Sequence, residues 1–330
     1  MIYAVTNEGV ATFQLDGTTP SQPEAHLAGS GARCIAVDPG DPNRVYVGTL
    51  DRGAYLSTDG GSSWREAGPG IDEHRVLSLA VSPSHREHGV SVVYAGTEPS
   101  NLYRSEDGGE RWELLPALRT LPSEPSWSFP PRPWTHHVRT IALHPTDPDW
   151  LAVGIELGGV MRSTDGGASW IDHNPQAHSD AHQLLTHPGA PERLYEVAGQ
   201  GVARSEDRGE SWSRVEAGLD RHYAWAQAVD PDDPDLWYVS VSRSPFAAHG
   251  DGDGQAHLWR SRGDGWVRID RWGDLPELRR MPYTLATFPG EANRLLVGLR
   301  GGTLLVSDDR GESWTRLELA LPDLIELAVA

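Results

Sequence analysis

Ser57-Thr58-Asp59-Gly60-Gly61-Ser62-Ser63-Trp64 is the stretch on which the reading of this chain turns. Its frame, Ser-x-Asp-x-Gly-x-x-Trp, returns at Ser105 to Trp112, Ser163 to Trp170, Ser205 to Trp212 and Ser307 to Trp314, with a degraded copy from Ser261 to Trp266. Self-similarity at such a period marks an architecture in which each unit buries its apolar face only against its neighbours. Every copy lies between a strand-like run, such as Ala54-Tyr55-Leu56, and a short polar strand after the Trp, so the motif is a hairpin turn. There the Asp carboxylate accepts backbone N–H groups, Gly61 and its counterparts supply a positive φ, and the Trp offers an apolar face to the next unit. Turn chemistry accounts for these aspartates without a catalytic role.

Working outward, a full unit reads strand a, a Pro-rich turn, strand b, a Gly-containing turn, strand c, the box and strand d. In the first complete unit strand a is Cys34 to Val37, strand b Val45 to Gly48 and strand c Ala54 to Leu56. Strand a recurs at Leu77, Arg139, Gln183, Trp225 and Tyr283, giving six complete units. The ends supply a seventh, since Met1 to Val5 has the character of strand b, Ala11 to Leu15 of strand c with Asp16-Gly17 as a vestigial box, and Leu324 to Val329 of strand a. The chain therefore reads as all-β: a single seven-bladed β-propeller domain over 1–330, its four-stranded blades closed by the C-terminal strand joining the N-terminal blade. The blades span about 33–70, 74–115, 136–174, 179–218, 222–270, 281–318, and 322–330 plus 1–29.

The repeated box resembles the Asp-box, or BNR, repeat of sialidases, the sortilin luminal domain, xyloglucan-degrading glycosidases and a photosystem II assembly factor. The resemblance implies a propeller whose boxes lie on the face opposite the functional one. It also brings the sialidase site to mind, in which three arginines clamp a carboxylate beside a Tyr–Glu pair. Tyr283 or Tyr223 with Glu326, Glu156 or Asp51 would imitate parts of that arrangement. Sialidases are six-bladed and begin with a Phe/Tyr-Arg-Ile-Pro segment absent here, so their catalytic residues are not carried over.

Composition narrows the function. A formal charge of −19 argues against a nucleic-acid partner, which needs basic surface. All 28 basic residues are arginine, which removes lysine-based catalysis and leaves arginine to build any cationic site. The single cysteine, Cys34, excludes an internal disulfide and is expected as a small core residue. No apolar run is long enough to span a membrane and the N-terminus carries no leader pattern, so a cytoplasmic monomer is expected.

The turns before strand a and between strands b and c form the face opposite the boxes. Histidine precedes or opens strand a in four successive blades, and His74, His137, His182 and His222 are the candidate ligands of a divalent transition metal. Arg33, Arg75, Arg139, Arg243, Arg280 and Arg300 are candidate anion-binding residues, with Tyr223 and Trp225 beside them. Asp51, Glu98, Glu156, Tyr283 and Glu326 are the candidate catalytic groups. Asp180 also falls in this column. Two insertions are expected over the same face: 116–135, with Trp127, Phe129 and Trp134 among prolines, and 242–257, with Phe246, His249 and an acidic Gly-Asp run read as a hairpin tip.

These readings favour binding of a small anion or of a peptide or protein at the channel mouth. A BNR-type glycosidase or lyase using carboxylates of that face is the first alternative. An enzyme dependent on a metal held by the histidines is the second.

Overall fold

The computed structural model describes residues 1–263, 265–270 and 278–330; Asp264, the aspartate position of the degraded sixth box, lies outside them. Strand b reads as a near-continuous apolar run because it is covered on both faces by neighbouring blades. Val45 to Thr49, Leu194 to Ala198 and Leu295 to Leu299 are buried at every position. Seven antiparallel blade sheets result, in the order a-b-c-d, besides a two-stranded ribbon of Leu15–Asp16 with Thr19–Pro20. Blade one is Ala32–Asp38, Asp41–Thr49, Ala54–Ser57 and Arg65–Glu66, and blade five is Tyr223–Asp230, Asp233–Ser242, His257–Ser261 and Trp266–Arg268. In blade three the fourth strand shrinks to one bridge, Ile171 against Arg162.

The ring closes as the termini predict. Leu324–Val329 pairs antiparallel with Ile2–Thr6, Ile2 opposite Val329, and the Met1 ammonium donates to the Ala330 carbonyl at 2.9 Å. Between blades the core is apolar: Tyr46 and Leu56 of blade one meet Val93, Tyr103 and Trp112 of blade two. Cys34 belongs to this cluster, with its thiol directed at the Val76 carbonyl and its pKa pushed up by burial. Among the described residues no helix is long and apolar enough to cross a membrane.

The boxes are closed turns. Ser57 Oγ donates to Asp59 Oδ1 at 2.8 Å and accepts from Gly61 N at 2.8 Å, while Asp59 takes Ser63 N and Ser63 Oγ at 2.8 and 2.5 Å. Those donors hold Asp59 down at about 2. Gly61 sits at φ 89°, where a Cβ would lie 2.9 Å from Tyr3 Cε1 of the adjacent blade, so glycine is needed for both conformation and close approach.

At the opposite end, one irregularity recurs in every blade. The a–b register shifts at the start of strand a, between Ala32 and Cys34, Val76 and Ser78, Val138 and Thr140, Ala181 and Gln183, Ala224 and Gln227, Pro282 and Thr284, and Leu324 and Glu326. A bulge re-aims the side chain it frees. The freed residues, Arg33, Leu77, Arg139, His182, Trp225, Tyr283 and Ile325, all line the central channel.

Both insertions fold locally. Segment 116–135 forms two short 3-10 turns, Pro116–Thr120 and Glu124–Ser126. Segment 242–257 connects two antiparallel strands and holds a helix, Pro245–His249, ahead of the acidic Gly-Asp run; Ser244 caps its start by accepting from Ala247 N at 3.2 Å and Arg300 donates to the carbonyls of His249 and Gly250 at its end.

Candidate functional site at the channel mouth

The ring of bulge residues opens into a cavity of about 1020 Å³ on the face away from the boxes, floored by Leu79, Ile141, Leu185 and Leu285 and flanked by Phe129 to Arg132 and Phe246 of the two insertions. A second hollow of about 480 Å³ lies beside Ser123 and Asp172, but the Asp172 carboxylate is occupied there by Ser123 N and Oγ.

One wall is cationic. Arg33, Arg75 and Arg139 line it, and among the described residues neither Arg33 nor Arg75 has a carboxylate within ion-pair distance. Crowding by the channel wall, followed by repulsion from Arg139 and Arg132, lowers the proton affinity of Arg33, whose side chain stays open to solvent at the mouth. Arg139 lies 4.7 Å over the Trp225 ring and 3.7 Å from Glu156 Oε2.

The facing wall is aromatic. Trp225 packs against His182 and His249 at centroid distances of 4.7 and 4.4 Å. His249 bridges two phenols, Nε2 to Tyr223 OH at 2.7 Å and Nδ1 to Tyr283 OH at 2.6 Å. Burial, with the Arg139 charge nearby, pulls His249 down to about 4, so at neutral pH one ring nitrogen donates and the other accepts. Burial likewise raises both phenols, which stay protonated.

Three carboxyl groups complete the site. Burial raises Glu326 to about 7 against Arg139 and the Ile35 N–H it accepts at 3.1 Å. Burial also pushes Glu156 up, but the His137 hydrogen bond, with Arg139 nearby, outweighs it and holds the group at about 2. Asp180 is raised by burial and then by Glu156. Single ligand atoms of Glu156, Asp180 and His182 lie within 4.8 Å of one another, and these three form the one metal-capable cluster among the described residues.

The structure thus gathers Arg33, Arg75, Arg139, Tyr223, Trp225, Tyr283, Glu156, Glu326, His137 and His182 around one cavity. It does not gather the rest. His74 and His222 stand exposed at the rim, so the four histidines do not form a ligand set. Asp51, Arg243 and Arg280 are exposed and outside the lining, and Arg300 is spent on the helix carbonyls. Glu98 is buried in a two-bond pair with Arg132, Nε to Oε1 at 2.8 Å and NH2 to Oε2 at 2.5 Å, which neutralises its charge. Trp127 is buried in the core between blades two and three, whereas Trp134 is 80% exposed and outside the cavity. Tyr283 bonds His249 and no Tyr–Glu hydrogen bond forms among the described residues. Arg132 escaped the sequence reading because nothing local distinguishes it from a solvated loop arginine.

A scan against protein-family models and a search of curated proteins both return no match. Solved structures do match. An ancestral GH74 enzyme aligns with 93% of this chain and 37% of its own at 19% identity and TM-score 0.65, and the GH74 xyloglucanase from Xanthomonas campestris with 93% and 47% at 18% identity and TM-score 0.65. YCF48 bound to D1 peptide aligns with 93% of this chain and 84% of its own at 16% identity and TM-score 0.62. The chain spans less than half the length of either GH74 protein. The fold these structures share with it is the seven-bladed β-propeller that the repeat predicted.

Proposed function

We propose that the channel mouth binds an anionic ligand, a carboxylate- or sulfate-like small molecule or the acidic segment of a peptide, whose planar or apolar part rests on Trp225. The observation that carries this reading is the pair Arg33 and Arg75, two guanidiniums without carboxylate partners on the wall of a cavity, beside Arg139. Guanidinium takes carboxylate or sulfate oxygens through two parallel hydrogen bonds, and an unneutralised cation in a partly desolvated wall gains most from such a counterion. Trp225, Tyr223 and Tyr283 supply a flat surface next to it. The YCF48 propeller described with a bound D1 peptide is a precedent for a peptide on this fold.

Sulfate, benzoate and an acidic peptide, titrated by calorimetry at low ionic strength, test the reading. Binding of at least one probe is expected, with the Arg33→Gln/Arg75→Gln double variant weakened at least about tenfold, the loss of a charge-assisted pair. No binding of any probe, or equal binding by the double variant, overturns it.

A further inference from the structure

We propose that Glu156, Asp180 and His182 form a binding site for one divalent transition-metal ion at the floor of the aromatic wall. The three donors come from one corner of the ring: Glu156 from the b–c turn of blade three, Asp180 from the segment leading into blade four, and His182 from the bulge of blade four. His182 is 2% exposed, and its Nδ1 lies 2.6 Å from the Ala224 carbonyl, which can only accept. The proton is therefore on Nδ1, and Nε2 presents a lone pair toward the carboxylates. That nitrogen makes no hydrogen bond among the described residues and lies 3.7 Å from Asp180 Oδ1. A buried imidazole whose outer nitrogen is fixed by a carbonyl is the usual preparation of a metal ligand.

The carboxylates are prepared in the same way. Asp180 fits where it does because residue 199 is glycine: a Cβ there would lie 2.0 Å from Asp180 Oδ2. Glu156 Oε2 is held by His137 Nε2 at 3.2 Å. Donor atoms within 4.8 Å of one another need to close by about an ångström to reach metal–ligand distances of roughly 2.0–2.2 Å, a side-chain adjustment. Two carboxylates neutralise a divalent ion, and the imidazole donor selects zinc, manganese or cobalt over magnesium or calcium. With three protein donors the ion keeps open positions, and these face the cavity.

The test uses the full chain stripped with chelator and titrated by calorimetry with Zn²⁺ and Mn²⁺ in a buffer free of sulfate and carboxylate, with the visible spectrum of the Co²⁺-loaded protein as a second readout. One ion per chain is expected. Glu156→Gln and Asp180→Asn, near-isosteric changes checked by circular dichroism, should each weaken it at least about tenfold, and the exposed His222→Gln should leave it unchanged. Absence of stoichiometric binding, or binding indifferent to both substitutions, overturns the proposal. Because no anion is present, metal failure with benzoate or sulfate binding intact removes only this site. Metal binding retained in the Arg33→Gln/Arg75→Gln protein that fails to bind any anion removes only the anion reading.

Discussion

Glu196 offers a test of the core electrostatics whose magnitude follows from its surroundings. It is 0% exposed, its Oε2 accepts from His178 N at 3.1 Å, and its Oε1 has no partner among the described residues. Burial raises its pKa from 4.5 to about 8. Folding therefore favours the protonated carboxyl: the stability this group contributes is complete below pH 4.5 and drains away as pH rises to 8, because over that window the unfolded chain ionises and the folded one does not. At about 1.4 kcal/mol per pH unit, the loss reaches about 5 kcal/mol. His178, 1% exposed and pulled down to about 4 by burial and by Arg214, acts in the opposite sense: its contribution is present above pH 6.5 and lost as pH falls toward 4. The two slopes nearly cancel between pH 4.5 and 6.5, and Glu196 stands alone above that. Glu196→Gln removes one slope and leaves His178 in place, so urea melts of both proteins from pH 5 to 8 should give a difference that grows in favour of the variant by about 1.4 kcal/mol per unit. Any fixed packing offset of the amide cancels in that slope. Parallel curves for the two proteins would refute the reasoning.

Glu326, half-buried in the channel wall and raised to about 7, should weaken anion binding as it ionises; benzoate affinity is expected to fall from pH 6 to pH 8, and Glu326→Gln to flatten the profile, which an unaltered slope would contradict. Two glycines, one in a loop and one in a box, should separate strain from contact. Gly29 (φ 67°) and Gly61 (φ 89°) both lie in the left-handed region, but only at Gly61 does a Cβ meet a neighbour, Tyr3 Cε1 at 2.9 Å. Alanine at Gly29 should cost about 1 kcal/mol and at Gly61 at least about 1 kcal/mol more; equal losses in denaturant melts would show that Tyr3 yields freely.

The architecture was legible because it is written seven times over. A box such as Ser57 to Trp64 satisfies its hydrogen bonds within eight residues, so its geometry is local and the same residues recur wherever the turn recurs. Closure was legible for a related reason: Leu324 to Val329 has the strand-a pattern and no other partner in the repeat than Ile2–Thr6.

The site is legible only in part because what assembles it is not local. Arg33, Arg139, His182, Trp225 and Tyr283 share no motif; they share a bulge position, where the a–b register slips and aims one side chain into the channel. A slip of register leaves no residue signature, so a sequence column can place these residues on a face and still miss which of them converge. His74 and His137 illustrate the consequence: both precede strand a, but His137 is buried against Glu156 while His74 faces water. Charge pairing across blades is equally invisible along the chain. Arg132 is 34 residues from the Glu98 it neutralises, and that pairing leaves Arg33 and Arg75 as the wall's unanswered charges. The scaffold thus specifies where seven side chains point, while their chemistry is free to vary from blade to blade. Here that variation puts cations on one side of the ring and imidazole, carboxylate and aromatic groups on the other.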